Sequence, residues 1–173
     1  MGGGVGQTIE TERLVLRPLR IEDAPFILRL LTQPSWLRFI GDRGVRDLES
    51  AERYLRDVPI AMQSRYGFAL QHVSLKATGE PIGLCGILKR ESLPDPDIGF
   101  ALLDEHAGKG YGFEAATAVI ADAEQRLGLR RLLAIATPDN ERSARLLGAL
   151  GFEPRGMHED GRMRLFVRAS APV

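Results

Sequence analysis

A chain of 173 residues, 44% of them hydrophobic and 27% charged, is long enough to bury one sizeable core and has the composition of an ordinary globular domain. Its 23 Lys and Arg balance its 23 Asp and Glu with no long basic block, which argues against nucleic acid as a direct partner. The single Cys85 excludes an internal disulfide, and His72, His106 and His158 are too dispersed for a local metal-ligand motif, so no metal is expected.

The opening residues 1–7, "MGGGVGQ", lack the charged and apolar regions of a signal peptide and read as a flexible tail, leaving one domain over residues 8–170. No apolar run reaches the length of a membrane span, so a soluble cytoplasmic protein is expected. "TERLVLRPL" alternates as a strand does and ends at Pro18. "RIEDAPFILRLLTQP" has helical spacing through Phe26, Ile27, Leu30 and Leu31, and Pro34 stops it. "SWLRFIGDRGV" reads as an irregular connector bearing Trp36 and Phe39. "DLESAERYLRDVPIAMQ" is a second helix with Leu48, Ala51, Tyr54, Leu55 and Val58 on one face.

"YGFALQHVSL" and "PIGLCGIL" form an antiparallel hairpin about "KATGEP", with Cys85 a buried, inert thiol. "DIGFALL" is a strand with a bend or edge at its start, where prolines precede it. A glycine loop, "HAGKGYG", opens a helix from Tyr111 to Gly128. "RRLLAIAT" is a strand, "DNERSARLLGALGF" a helix capped by Asp139 or Asn140, and "FEPRGMH" and "RMRLFVRAS" are closing strands about "EDGR". The order β-α-α-β-β-β-α-β-α-β-β implies an α+β fold: a mixed, mostly antiparallel sheet with a central parallel strand pair.

Three kinds of phosphate loop are open to Gly108-Lys109-Gly110-Tyr111-Gly112. A Walker loop ending at Gly108-Lys109 needs Gly at 103 and Ser or Thr at 110; Leu103 and Gly110 stand there. A Rossmann fingerprint from Gly108 needs a third glycine at 113, which is Phe. What remains is an anion site made of successive backbone amides at a helix N-terminus, with Lys109 able to add a cation. Asn140 and Ser143 share the first turn of the next helix, so two helix N-termini flank one strand.

These two motifs, with the opening "TERLVLRPLRIEDA", resemble the GNAT superfamily of acyl-CoA-dependent N-acetyltransferases, over about Thr8 to Ser170. The opening is similar to the branch that acetylates protein N-termini, notably of ribosomal proteins, and certain small amines. The family loop is Gln/Arg-x-x-Gly-x-Gly/Ala, so Ala107 is a departure that removes a side chain from the anion site. The later pattern is carried by Asn140, Ser143, Leu146, Leu150, Gly151 and Phe152.

The resemblance implies an N-acetyltransferase with acetyl-CoA as cosubstrate. Its diphosphate would lie on the amides of Gly108, Lys109, Gly110, Tyr111 and Gly112, near Asn140 and Ser143. Its pantetheine would bond the backbone near Leu102 and Leu103. A primary amine, either a protein N-terminus or a small molecule, would attack directly in a ternary complex.

Asp97 is the candidate base, with Glu159 and Asp160 competing. Ser143 is the candidate proton donor, with Tyr111 its rival. His106 is expected to be a solvated loop residue. Trp36, Phe39 and Tyr54 could line the acceptor pocket or belong to the core. A monomer or homodimer is expected, and a non-catalytic acyl-CoA-binding regulatory module stays open as the alternative.

Overall fold

Eight strands form one sheet in the computed structural model, which describes residues 7–158 and 161–170. The expected tail, apart from Gln7, and the competing carboxylates Glu159 and Asp160 lie outside the described residues. The strands are β1 (Ile9–Glu10), β2 (Leu14–Pro18), β3 (Leu70–Leu75), β4 (Pro81–Leu88), β5 (Asp97–Leu102), β6 (Arg131–Ala136), β7 (Glu153–Met157) and β8 (Arg164–Ala169). Their spatial order is β1-β2-β3-β4-β5-β6-β8-β7. Every neighbouring pair is antiparallel except β5 and β6, which are joined by the helical crossover α5 (Tyr111–Gln125). The mixed sheet with its central parallel pair is therefore as the sequence implies.

The sheet is covered on both faces. Alternation along β2 sends Leu14 and Leu16 to one face, where they pack with Ala116, Val119, Ile120 and Ala123 of α5 and with Leu147 of α6 (Glu141–Ala149). On the other face Leu84 and Leu103 meet Ile27, Leu30 and Leu31 of α1 (Ala24–Thr32) and Ala51 and Leu55 of α3 (Leu48–Leu55). Arg17 of β2 grips Asp23 with two nitrogens at 2.9 and 2.8 Å, fixing the angle at which α1 leaves the sheet.

Four local readings change. A short strand, β1, precedes the expected first one and pairs with it through Ile9 and Leu16. The connector after α1 is a helix, α2 (Pro34–Phe39): Gln33 is extended (φ −69°, ψ 148°) and Pro34 starts a new helix as well as stopping the old one. The helix from Leu48 runs on to Tyr66, through a π-turn at Arg56–Ile60 that holds Pro59 and a final segment, α4 (Ala61–Tyr66). On it Ala51, Tyr54 and Leu55 are buried, but Leu48 is 50% exposed and Val58 is also exposed, so the buried stripe is narrower than the spacing implies. Finally, β5 begins inside the sheet, paired through Asp97 with Leu88 and Leu133; its opening lies at the other end.

Candidate active site

β5 and β6 are in register only at Asp97 and Leu133, where the Leu133 amide donates to the Pro96 carbonyl at 3.0 Å. Both strands continue, to Leu102 and Ala136, but their ladder stops there and the sheet opens as a wedge. Along a strand the N–H and C=O of one residue point the same way and alternate from residue to residue. Leu103 donates to Ile82 at 2.8 Å, so residues 97, 99, 101 and 103 face β4. Residues 98, 100 and 102 therefore face the wedge. The Phe100 amide and carbonyl and the Leu102 amide lie along an open edge of about 13 Å, four residue steps long.

Gln33, ahead of α2, closes the upper end of that edge. Its Nε2 donates to the Leu102 carbonyl (2.9 Å) and its Oε1 accepts from the Asp104 amide (3.2 Å), the pairing a peptide of a neighbouring strand would make. Leu103 is buried, with its amide given to Ile82 and its carbonyl accepting from His106. Of the two leucines expected to meet pantetheine, Leu102 is thus the one at the wedge.

Above the edge the chain makes a 3-10 turn, Asp104–His106, and enters the glycine loop. Gly108 (φ +77°) and Gly110 (φ +82°) adopt the left-handed conformation that side chains disfavour. The first bond of α5 runs from the Glu114 amide to the Gly110 carbonyl. Among the described residues the amides of Gly108, Lys109, Gly110, Tyr111, Gly112 and Phe113 find no acceptor. Six consecutive donors at the positive end of a 15-residue helix have the arrangement from which an anion cradle can be built.

Gly112 brings the two motifs together. A Cβ there would stand 3.3 Å from Leu146 of α6 and 3.8 Å from Leu102 of β5. In α6, Asn140 is the N-cap: its Oδ1 accepts from the Ser143 amide at 3.1 Å. Its oxygen is spent on the cap, whereas the half-buried Ser143 hydroxyl takes no part in it. The Lys109 side chain is exposed and its carbonyl accepts from Arg13 Nη1 at 3.1 Å. Among the described residues no three His, Cys, Asp or Glu side chains converge as a metal site.

At the vertex of the wedge Asp97 is 0% exposed and bonded to Arg90 Nε at 3.1–3.2 Å. Burial pushes its carboxyl up to about 6 against the pull of Arg90. Tyr54 of α3 is buried, which raises its phenol, while Arg43 and Arg90 act the other way. Trp36 is buried in the core and donates Nε1 to the Gly41 carbonyl at 3.0 Å. Phe39 is half-buried beneath the Arg38 guanidinium, 4.7 Å from its centroid. Arg38 also bonds Asp139 at 3.0 Å, linking α2 to the loop ahead of α6. His106 is not solvated as expected: it is 8% exposed with Nε2 3.2 Å from Glu80 Oε1, because the 3-10 turn folds it inward toward Tyr111.

Sequence reasoning missed Gln33, Phe100, Arg13 and Glu114. Strand parity could have found Phe100. Arg13 and Glu114 are partners 101 residues apart, with no local signal.

Residues 13–153 match the family model of the acetyltransferase (GNAT) domain. An uncharacterized N-acetyltransferase, p20, of Bacillus licheniformis is 29% identical over 160 residues, 89% of this chain and 86% of that one. The ribosomal protein uS5-alanine N-acetyltransferase of Escherichia coli is 38% identical over a shorter stretch of 63 residues, 36% of this chain and 32% of its own length. Among solved structures, an acetyltransferase from Agrobacterium tumefaciens superposes with a TM-score of 0.83 at 29% identity, covering 95% of both chains. The family match spans the wedge, the glycine loop and α6 alike, and this chain belongs to the GNAT family of acetyltransferases.

Proposed function

We propose that the protein moves the acetyl group of acetyl-CoA directly to a primary amine in a ternary complex, with a peptide N-terminus as the preferred acceptor class. The observation that carries this is the open edge of β5, which leads from the amide cradle at one end to a buried carboxylate at the other. The diphosphate fits the cradle because Gly108 and Gly110 leave the backbone bare, and nothing lies within 4 Å of where a Gly108 Cβ would stand. Pantetheine amides take the place of the missing strand against Phe100 and Leu102. The thioester then lies toward Asp97.

The amine nitrogen attacks the thioester carbon, and the carbonyl oxygen becomes an oxyanion held by the Phe100 N–H. Asp97 takes the ammonium proton through a water; with its carboxyl near 6 it is mostly ionised at neutral pH and still basic enough to serve. The C–S bond breaks, and the thiolate takes a proton from the half-buried Ser143 hydroxyl, which is reprotonated from solvent in the same step. An α-amino group, ordinarily at about 7.7–8.0, is neutral far more often than a Lys amine at about 10.4, which favours an N-terminus. The uS5-alanine acetylating relative supports the same acceptor class.

Thiol release from acetyl-CoA, followed across a panel of N-terminal peptides and small amines, tests the reading. Turnover with at least one α-amine is expected, and Ser143→Ala should lower kcat with little change in CoA affinity. CoA binding without turnover on the whole panel would favour a regulatory module, and absence of CoA binding would remove the cradle assignment.

A further inference from the structure

The glycine loop lacks a side chain where the GNAT loop has Gln or Arg, because Ala107 stands there. It also carries a liability: Glu114 sits in the first turn of α5, one turn from the cradle, where an uncompensated carboxylate repels a phosphate. The structure answers both from a distant part of the sequence. Arg13, the residue just before β2, donates Nε to Glu114 Oε1 at 2.7 Å and Nη1 to the Lys109 carbonyl at 3.1 Å. Its guanidinium lies over the Tyr111 ring, 4.4 Å from the centroid. Thr11 Oγ1 and the Arg13 amide also bond Glu114, at 2.5 and 2.9 Å. Burial pushes the Glu114 carboxyl up, but these bonds outweigh it and hold it below the ordinary range.

Two consequences follow from this geometry. The carbonyl of the Lys109–Gly110 peptide is tied to Arg13. In a trans peptide the N–H points opposite to the carbonyl, so the Gly110 amide is fixed facing away from Arg13, and Nη2 is left to a phosphate oxygen other than the one that amide holds. The third guanidinium nitrogen, Nη2, has no acceptor among the described residues and lies 3.3 Å from where a Gly110 Cβ would stand. A free, charged donor therefore stands at the bare face of the loop. The Arg13 side chain is 43% exposed, so a phosphate can reach it.

We infer that Arg13 is the side-chain component of the anion cradle, placing Nη2 on a phosphate oxygen of the bound acyl-CoA and supplying the contact that Ala107 cannot. The inference rests on the reading of the loop as a diphosphate site and assigns a residue to it that lies outside the loop. Arginine suits the task because its fork can hold Glu114 and Lys109 through two nitrogens and still offer a third.

The test is calorimetric and needs no acceptor. Dissociation constants for CoA are measured at low and high salt for the wild type, Arg13→Met and Arg13→Lys, with phosphate-free pantetheine as the control ligand. Arg13→Met keeps most of the apolar stem over Tyr111 and removes the charge. It should weaken CoA by about ten-fold or more, the range of one charge-assisted hydrogen bond. It should also flatten the rise of the CoA constant with salt and leave the pantetheine constant within about two-fold, since pantetheine carries no phosphate. Arg13→Lys should recover part of the salt dependence.

Equal losses for CoA and pantetheine would show that Arg13 only supports the fold, and unchanged CoA binding would show that it does nothing at the site; either overturns the inference while the loop assignment stands. A wild-type protein that binds no CoA removes the loop assignment and this inference together.

Discussion

Asp97→Asn should make the fold more stable relative to wild type at pH 8 than at pH 5, and should lower turnover at both. The carboxyl titrates at about 6 in the fold against its ordinary 3.8, because burial disfavours the anion more than Arg90 favours it. A raised carboxyl pKa means that the folded state holds the proton more tightly than the unfolded chain. Its contribution is therefore fully present below pH 3.8 and is lost as pH rises through about 6. At pH 8 the ionised group costs about 3 kcal/mol, and about 1.4 kcal/mol of that develops between pH 5 and pH 8, where the folded group ionises and the unfolded one is already charged. Urea unfolding of both proteins at the two pH values reads the difference directly. His72, whose imidazole burial lowers to about 4, loses stability for both proteins alike as pH falls below 6.5 and cancels in the comparison. The variant's gain over wild type should grow by about 1.4 kcal/mol from pH 5 to pH 8. A gain that shrinks with pH would refute the reasoning, since it would mean that the Arg90 ion pair is a net structural asset and Asp97 is there for the fold. A gain that grows with pH is what the proposed base role of Asp97 calls for, a carboxylate held at a cost to the fold.

Gly110→Val forces a β-branched residue to φ +82° and puts its Cβ 3.3 Å from Arg13 Nη2. It should lower Tm, through a backbone cost of about 1–2 kcal/mol, and abolish the thermal shift with CoA; a CoA shift equal to wild type would contradict the cradle. Gln33→Ala removes both bonds that close the edge of β5 and should cost about 1–2 kcal/mol, a fall in Tm of roughly 3–6 °C for a domain of this size. An unchanged melting curve would show that the carboxamide does not hold α2 in solution. Cys85 is buried among apolar neighbours, which pushes its thiol up to about 12, so a thiol reagent should label the native protein only at its rate of global opening. Rapid stoichiometric labelling would contradict the packing of β4.

The glycine loop was legible because its demands are local. Two left-handed positions need glycine, and a turn built that way ahead of a helix leaves its mark in five consecutive residues. The parallel pair was legible for a related reason, since a helix between two strands dictates the direction of the second. The wedge was not legible in the same way. It depends on where β6 stops pairing with β5, and nothing in "DIGFALL" or "RRLLAIAT" marks Asp97 and Leu133 as the last partners. Once that contact is known, strand parity places Phe100 and Leu102 at the open edge. α2 was hidden by a sign with two meanings, for Pro34 stops one helix and starts another a single residue later. His106 was misplaced because proximity to an exposed loop in sequence says little about the direction a 3-10 turn sends its last side chain.

The first strand pair acquires a role that its position at the sheet edge would not imply. An exposed loop with two left-handed glycines, whose six amides meet no acceptor among the described residues, draws little order from its own backbone bonds, and an anion site built from amides works only when the peptides already point the same way. On one side Gly112 lets α5 touch Leu146 and Leu102, tying the loop to α6 and β5. On the other, Thr11 and Arg13 hold Glu114, and Arg13 holds the Lys109 carbonyl. β2 can supply these contacts because it is antiparallel to β3, β3 to β4 and β4 to β5, so its first residue lies at the end of the sheet where β5 finishes. Four strands of alternating direction thus convert a separation of about one hundred residues into a contact of 2.7 Å. The opening "TERL" and the loop "GKGYG" are joined by side-chain bonds that hold the loop and the first turn of α5 in place.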